Sequence, residues 1–298
     1  MTKPKPIGHA FDTFCRYNSV PMTRESIAET YARDGYVVVR RVFTPAEIAQ
    51  LSAATDQLWR EGTDLGASWR HGNLFYYVAP GRDGAPKVRM AQWPSYHQPV
   101  MNAVRLDPRF AQLLAPLIGG DLKQIINQVH WKEPLGGGDF AWHQDSRFRK
   151  PDHAYRNLGT SYVQTGLAID PHTPESGCMR FVPGSHVLGD VDLDVDAEVL
   201  GRAMDDAALA KIGYTTADVV DLLLEPGDVA FWNPYLVHAS GRNSVGHMRR
   251  LYINGYVRAQ DCDRGEWAFR GGRPVPLGPE PAIVHYENLP NDRDPHYV

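Results

Sequence analysis

The sequence predicts a mainly β protein, a jelly-roll core with α-helices packed on its outside. Three observations carry that prediction. Helical patterns come first, and a series of short β-branched and aromatic segments follows them. Turn sequences such as GGG, PESG, PGSH and EPGD separate those segments. Glycine (27) and proline (23) are plentiful and scattered, which suits many short strands better than a helical bundle.

Taken in order, residues 1–20 lack periodicity and form a flexible arm. Thr23–Tyr31 has a short helical pattern, and the turn Asp34-Gly35 opens a β-branched strand over Asp34–Phe43. Thr44, Pro45 and Glu47 form a capping box with proline at the first helical position, which starts a helix over Pro45–Arg60. Ile48, Leu51, Ala54 and Leu58 give that helix its buried stripe. Residues 61–98 are irregular and aromatic, and a second helix spans Pro99–Leu117, ending at Gly119-Gly120.

Strands follow over Lys123–Glu133, Thr160–Asp170, Met179–Pro183, Asp228–Ser240 and Arg249–Val257. Val191–Leu224 is an acidic insertion with a helix over Asp205–Ile212. The proline-rich tail, residues 273–298, wraps over the body. No repeat, low-complexity segment or linker divides the chain, so residues 1–298 are expected to form one domain.

A formal charge of −4 does not steer the chain toward nucleic acid or an anionic membrane. No apolar run approaches the roughly 18 residues of a membrane span, and MTKPKPIGHAFDTF has lysines but no apolar segment behind them. Cys15, Cys178 and Cys262 lie far apart without Cys-x-x-Cys spacing, so reduced thiols are expected. These features predict a soluble, cytoplasmic protein. They leave the oligomeric state open.

Chemistry enters at FAWHQDSRF, Phe140–Phe148. His143 and Asp145 are two residues apart and project to one face of an extended segment. A facial triad of two histidines and one carboxylate holds iron(II) and leaves positions open for a bidentate cosubstrate and dioxygen. The third ligand must come from elsewhere. Most of the 12 histidines sit near the ends or in polar loops, but His238 lies on the apolar strand of GDVAFWNPYLVHASGRN. Burying an unpaired imidazole there is costly, although an ordinary hydrogen-bonded core histidine is the commoner case.

In the next strand, RRLYINGYV, alternation puts Arg249 with Leu251 and Ile253 on the inward face and Arg250 on the other. An inward arginine needs a buried anion or a hydrogen-bonding partner. A structural carboxylate would serve, and so would the distal carboxylate of 2-oxoglutarate.

With these segments the sequence resembles the phytanoyl-CoA dioxygenase (PhyH) family of Fe(II)- and 2-oxoglutarate-dependent oxygenases. The resemblance runs from Asp34–Leu51 to the Arg249 strand. It rests on WHQD (Trp142–Asp145), SGCMRFVPGSH (Ser176–His186), PGDVAFWNPYLVHASGRN (Pro226–Asn243) and an arginine eleven positions after His238. It implies a double-stranded β-helix, a cupin-like form of the jelly roll, with iron ligands His143, Asp145 and His238. It also implies that Arg249 holds the cosubstrate, with help from Ser240 and from Lys132 unless that lysine is a strand-edge charge. Phe140 is implied as a pocket-lining or core residue.

Relatives that halogenate replace the carboxylate at the Asp145 position with a small residue, so hydroxylation is the implied reaction here. It would consume 2-oxoglutarate and dioxygen (O2) and release succinate and carbon dioxide. Desaturation, ring formation and demethylation share its first step.

The basic loop SRFRKPDHAYRNLG carries Arg147, Arg149, Lys150 and Arg156 and is either a solvated surface or a contact for an anionic substrate, with Arg147 the candidate. Phe75-Tyr76-Tyr77 and Trp93 are expected to pack beneath a long loop rather than line an entrance. The Glu-Thr-Trp-His run of ectoine hydroxylases is missing after Asp145. Two rival readings are a metal-dependent cupin enzyme that uses no 2-oxoglutarate and a non-catalytic jelly-roll binding protein.

Overall fold

The computed structural model describes residues 23–278 except 72, 82–83, 137–138 and 194–203, together with the backbone of 296–297. The expected N-terminal arm and most of the expected tail lie outside the described residues.

Helix α1 (Arg24–Asp34) starts where Thr23 Oγ1 accepts the Ser26 N–H, and Gly35 ends it at φ +79°. Strand β1 (Tyr36–Val39) follows. Helix α2 (Pro45–Leu65) has the expected capping box and the buried stripe of Ile48, Leu51, Ala54 and Leu58. It runs past Arg60 until Gly66, at φ +70°, closes it.

The stretch expected to be irregular is instead three strands, β2 (Trp69–His71), β3 (Leu74–Pro80) and β4 (Pro86–Gln92). Alternation in β3 separates its aromatics. Phe75 and Tyr77 face a cavity, while Tyr76 packs beneath α2, where a Cβ on Gly62 would press against its ring. The expectation that this patch only packs under a loop is therefore corrected for Phe75 and Tyr77, and holds as a core role for Tyr76 and Trp93.

The expected helix Pro99–Leu117 is two helices, α3 (Pro99–Arg105) and α4 (Pro108–Ile118). Pro108 has no N–H to continue the first, and Asp107 Oδ1 caps the second by accepting the Arg109 N–H at 2.9 Å.

Eleven further strands are present among the described residues: β5 (Leu122–Lys132), β6 (Phe140–His143), β7 (Tyr162–Ala168), β8 (Met179–Phe181) and β9 (Val220–Asp221), then β10 (Val229–Trp232), β11 (His238–Ser240), β12 (Arg249–Arg258), β13 (Glu266–Arg270), β14 (Arg273–Pro274) and β15 (His296–Tyr297), which adds to the outer edge of β2. Within the insertion, a short helix spans Ala207–Lys211. The large antiparallel sheet has the order β1-β10-β7-β12-β5-β4-β3-β2, with β13 also paired to β5. The small sheet has the order β6-β11-β8-β9. Two facing antiparallel sheets of this connectivity form the expected double-stranded β-helix.

The expected strand Asp228–Ser240 spans both sheets. Asn233 and Pro234 break it, the Asn233 N–H donating to Gly35 O at 2.8 Å and the Leu236 N–H to Asn233 O at 2.9 Å. The chain thereby crosses from β10 in the large sheet to β11 in the small one.

The outer face of the large sheet is not exposed to water. Leu51 and Leu58 of α2 and Phe110 and Leu114 of α4 pack with Val129 of β5 and Tyr252 and Tyr256 of β12 in one cluster. Arg250, on that outer face, is therefore buried too, and its charge is matched. Its Nε and Nη2 donate to the two Asp170 oxygens at 2.8 and 2.7 Å, and Nη1 donates to Asp56 Oδ1 of α2 at 2.7 Å. Cys178 and Cys262 are buried and free. Among the described residues no helix is long and apolar enough to cross a membrane.

Arg250→Met leaves Asp170 without its partner and is expected to lower unfolding stability by about 3 kcal/mol, measured by urea denaturation. An unchanged midpoint would show that the pair contributes nothing.

Two histidines outside the sequence-derived site, the buried His172 and the partly buried His130, set a pH dependence. Burial, with the charges of Arg249 and Lys132, pushes His130 down to about 3. Burial and Arg249 likewise lower His172, whose Nε2 lies 3.2 Å from Arg250 O. The unfolded chain takes up these protons at about 6.5, so it binds more protons than the folded one below that pH. Stability should fall as pH drops from about 6.5 toward 4, and His172→Asn should flatten the decline in urea titrations at successive pH values.

Candidate metal centre

Strands β6 and β11 pair antiparallel with His143 opposite His238. Each ring is fixed by its own strand. His143 Nδ1 lies 2.8 Å from Ala141 O, and His238 Nδ1 lies 2.9 Å from Leu236 O. In the neutral tautomer Nδ1–H donates to that carbonyl and leaves the Nε2 lone pair for a metal.

Asp145 opens the 3-10 turn Asp145–Phe148 directly after β6. The intervening Gln144 points the other way. Its Nε2 donates to Gly189 O at 2.8 Å and Tyr235 O at 2.6 Å, and its Oε1 accepts the Val191 N–H at 2.9 Å. That tether returns Asp145 to the side of His143. Asp145 Oδ2 accepts the indole N–H of Trp232 at 2.8 Å, and His238 Nε2 lies 3.9 Å from the same oxygen.

One donor atom from each of His143, Asp145 and His238 lies within 4.8 Å of the others. Burial, with the neighbouring His238, pushes His143 down to about 3, which keeps it neutral. Burial alone would raise Asp145, but His238, Arg149, His143 and the Trp232 hydrogen bond hold it below the usual carboxylate range. Two imidazole nitrogens and one carboxylate fit a divalent first-row ion and leave coordination positions open.

Beside this cluster are two buried cations. Lys132 and Arg249 are register partners where β5 meets β12, and each is at most 2% exposed. Lys132 Nζ donates to Ser240 Oγ at 2.8 Å, to Gly177 O at 3.2 Å and to Gly241 O. Arg249 Nη2 donates to Gly177 O at 2.9 Å, and its buried Nε has no acceptor. Among the described residues neither forms an ion pair. Burial pushes Arg249 down to about 10 and, with the Arg249 charge, holds Lys132 well below its ordinary value.

A glycine is required at 177, because φ is +71° and a Cβ would collide with the Gly241 carbonyl. Its role was hidden inside the SGC motif, as was that of Trp232 inside AFWNP.

The metal cluster and Arg249, with Ser240, line one cavity of about 680 Å³ between the sheets. Phe140 lies on its wall, with its ring centroid 6.3 Å from that of His143 and 5.6 Å from Lys132 Nζ. His130 is also on the wall, 3.0 Å from Gln128 Oε1 through Nε2. It stays apart from the metal cluster, and the sequence singled it out for no role.

The basic loop divides. Arg147 is partly exposed over the Phe148 ring, and the exposed Lys150 pairs with Asp152. Arg156 turns away to pair with Asp263, and only Arg149 is buried against the cavity.

The phytanoyl-CoA dioxygenase (PhyH) family model matches residues 31–251. Dioxygenase lolE1 of Epichloe uncinata is 26% identical over 213 residues, covering 70% of this chain and 72% of that protein. AviO1 from Streptomyces viridochromogenes Tue57 superposes with a TM-score of 0.62 at 27% identity, covering 82% of this chain and 98% of that one. The epimerase SnoN, solved with Fe3+, alpha ketoglutarate and nogalamycin RO, superposes with a TM-score of 0.59 at 25% identity, covering 91% and 96%. The matched span contains the three clustered donors and both buried cations, and the chain belongs to the phytanoyl-CoA dioxygenase family.

Proposed function

We propose that this non-haem iron(II), 2-oxoglutarate-dependent dioxygenase hydroxylates an unactivated C–H bond of a small molecule bound between its two sheets. His143, Asp145 and His238 ligate the iron. Arg249 binds the distal carboxylate of 2-oxoglutarate, with Ser240 and Lys132 beside it. One juxtaposition carries the reading: a three-donor metal cluster next to two buried cations that form no ion pair among the described residues. Uncompensated buried charge is costly. A dicarboxylate spanning the metal and Arg249 would offset it.

Bound iron, with 2-oxoglutarate and dioxygen, supplies the oxidation, and the cosubstrate leaves as succinate and carbon dioxide. The protein orients and excludes water. The carbonyls of Ala141 and Leu236 set the ring tautomers, Trp232 fixes one Asp145 oxygen, and Phe75, Tyr77 and Phe148 supply apolar walls. A carboxylate at Asp145 supports hydroxylation over halogenation. SnoN, a relative solved with iron and alpha ketoglutarate, supports the same cofactors here.

Under anaerobic conditions, iron(II) and 2-oxoglutarate together should give the weak visible charge-transfer band of a chelated keto acid. His238→Ala should remove it. Arg249→Ala should raise the 2-oxoglutarate Kd roughly 30-fold or more, the effect of truncating one side of a buried charge pair. If 2-oxoglutarate binding were unchanged in that variant, the cosubstrate pocket would lie elsewhere.

Trp232→Phe keeps the ring but removes the hydrogen bond to Asp145. It should weaken iron affinity about tenfold, measured by competition with a metallochromic chelator. No change would mean that the indole only fills space.

A further inference from the structure

The buried arginines of this protein follow a pattern, and Arg149 departs from it. Arg105 donates through Nε to Gln124 Oε1, through Nη1 to Asn102 Oδ1 and through Nη2 to Trp267 O. Arg250 is matched by Asp170 and Asp56. Arg149 is only 3% exposed, yet its Nε and Nη1 are buried without an acceptor and it makes no ion pair among the described residues. Arg249 shares this condition, and the function proposed for it is to hold an anion.

The surroundings of Arg149 hold its plane and give it no ion pair among the described residues, although its charge acts on Asp145. The 3-10 turn after Asp145 ends with the Arg149 N–H donating to Ser146 O at 2.9 Å. The guanidinium then lies over the Tyr162 ring, 5.1 Å from its centroid. Arg149 lines the same cavity as the metal cluster, where Asp145 is the single carboxylate on the described wall. Four cations, Arg147, Arg149, Lys150 and Arg249, line that wall as well. A divalent metal and a dianionic cosubstrate cancel one another, Arg249 is engaged by the cosubstrate and Lys150 is already paired with Asp152, so binding both leaves Arg149 without an ion pair. Elsewhere the cavity wall is largely apolar and aromatic, with Phe75, Tyr77, Met90 and Phe148, and the amides of Gln92 and Gln164 are set into it.

We infer that Arg149 is the subsite for an oxyanion on the substrate, and that the molecule oxidised has a carboxylate or phosphonate on an apolar, ring-sized body. The inference rests on the proposed function, because it requires the metal and cosubstrate to fill the other part of the cavity. Arg147 and Lys150, nearer to solvent, guide such an anion inward without being the atoms that hold it. An anion on Arg149 is tethered one short turn from Asp145, which brings the apolar body attached to it against the metal cluster.

The test uses the full chain, loaded anaerobically with iron(II) and saturating 2-oxoglutarate, so that Arg249 is already engaged. Binding of 3-phenylpropionate and 2-phenylethylphosphonate is compared with that of the neutral 3-phenylpropionamide and the cationic 3-phenylpropylamine by titration calorimetry. At least one anion should bind on the order of tenfold more tightly than the amide, the difference expected for a charge-assisted hydrogen bond to a buried guanidinium, and the amine should bind more weakly still. The two anions differ in geometry and charge, so their order identifies the source of the oxyanion. Arg149→Gln should abolish the preference for the anion, and Arg149→Lys should keep part of it.

Anions that bind no better than the amide, or not at all, overturn the inference, and so does a preference that survives Arg149→Gln. Loss of 2-oxoglutarate affinity in Arg149→Gln assigns the residue to the cosubstrate and overturns it as well. The wild-type comparison of acid with amide needs no variant, so a misfolded Arg149→Gln protein does not block the test. Failure of wild-type protein to bind 2-oxoglutarate is a separate result, and it counts against the proposed function.

Discussion

The register of β11 against β6 is the constraint on which the site depends. It sets His238 directly across from His143, with ring centroids 4.1 Å apart, although the two come from distant parts of the chain. In an antiparallel pair a slip of one residue turns every side chain to the opposite face. Such a slip would place one imidazole outside the cavity. Several contacts resist it. Gln144 ties the end of β6 to the chain around Gly189 and Tyr235, the Ser146 N–H donates to Pro234 O at 3.0 Å, and β8 pairs with the other edge of β11. Two histidines this close must not both be charged. Burial keeps His143 neutral, and each Nδ1 is committed to a carbonyl, so both rings are oriented in advance of any metal.

A second constraint follows from the large sheet. It is covered on one face by helices and on the other by the small sheet, so any charge on its strands must be matched within the protein or by a ligand. β12 shows both solutions on adjacent residues. Arg250 faces the helices and is matched by Asp170 and Asp56, whereas Arg249 faces the cavity and, among the described residues, bonds to the Gly177 carbonyl alone, which it shares with Lys132. The first arrangement closes a core. The second leaves an electrostatic demand that a bound dicarboxylate would meet, and this contrast is the physical basis for separating a structural arginine from a binding one.

The parts of the site legible in sequence were those set by local periodicity or by a spaced motif. The Thr44 capping box fixed the start of α2, and strand alternation on β12 separated Arg249 from Arg250. His143, Asp145 and His238 stood out once a third ligand was sought, and the structure brings them together. What was not legible depended on long-range pairing. β2, β3 and β4 looked irregular because aromatic side chains on both faces blur the alternation that marks a half-exposed strand. The division of Asp228–Ser240 between two sheets was masked by continuous apolar character on both sides of Pro234. The basic loop showed four cations alike, and only the fold distinguishes the buried Arg149 from the outward Arg156.

The cosubstrate cradle and the remainder of the cavity are built on different kinds of scaffold. Lys132, Arg249 and Ser240 sit at the ends of paired strands, and Gly177, whose carbonyl links the two cations, admits no side chain. Changing that cradle means changing the sheets. Arg147 and Arg149 belong to the short segment that follows Asp145, where the turn's own hydrogen bond, a few bonds to neighbouring loops such as Ser146 N–H to Pro234 O, and the contact with Tyr162 fix the geometry. Residues on such a segment can be exchanged with little cost to the core. One fold can therefore keep its metal and cosubstrate chemistry while the substrate changes. The limit on that freedom is Asp145 itself: because the same turn carries a metal ligand at its first residue, substitutions that alter its side chains are tolerable, but insertions or deletions within it would displace the ligand along with the cation behind it.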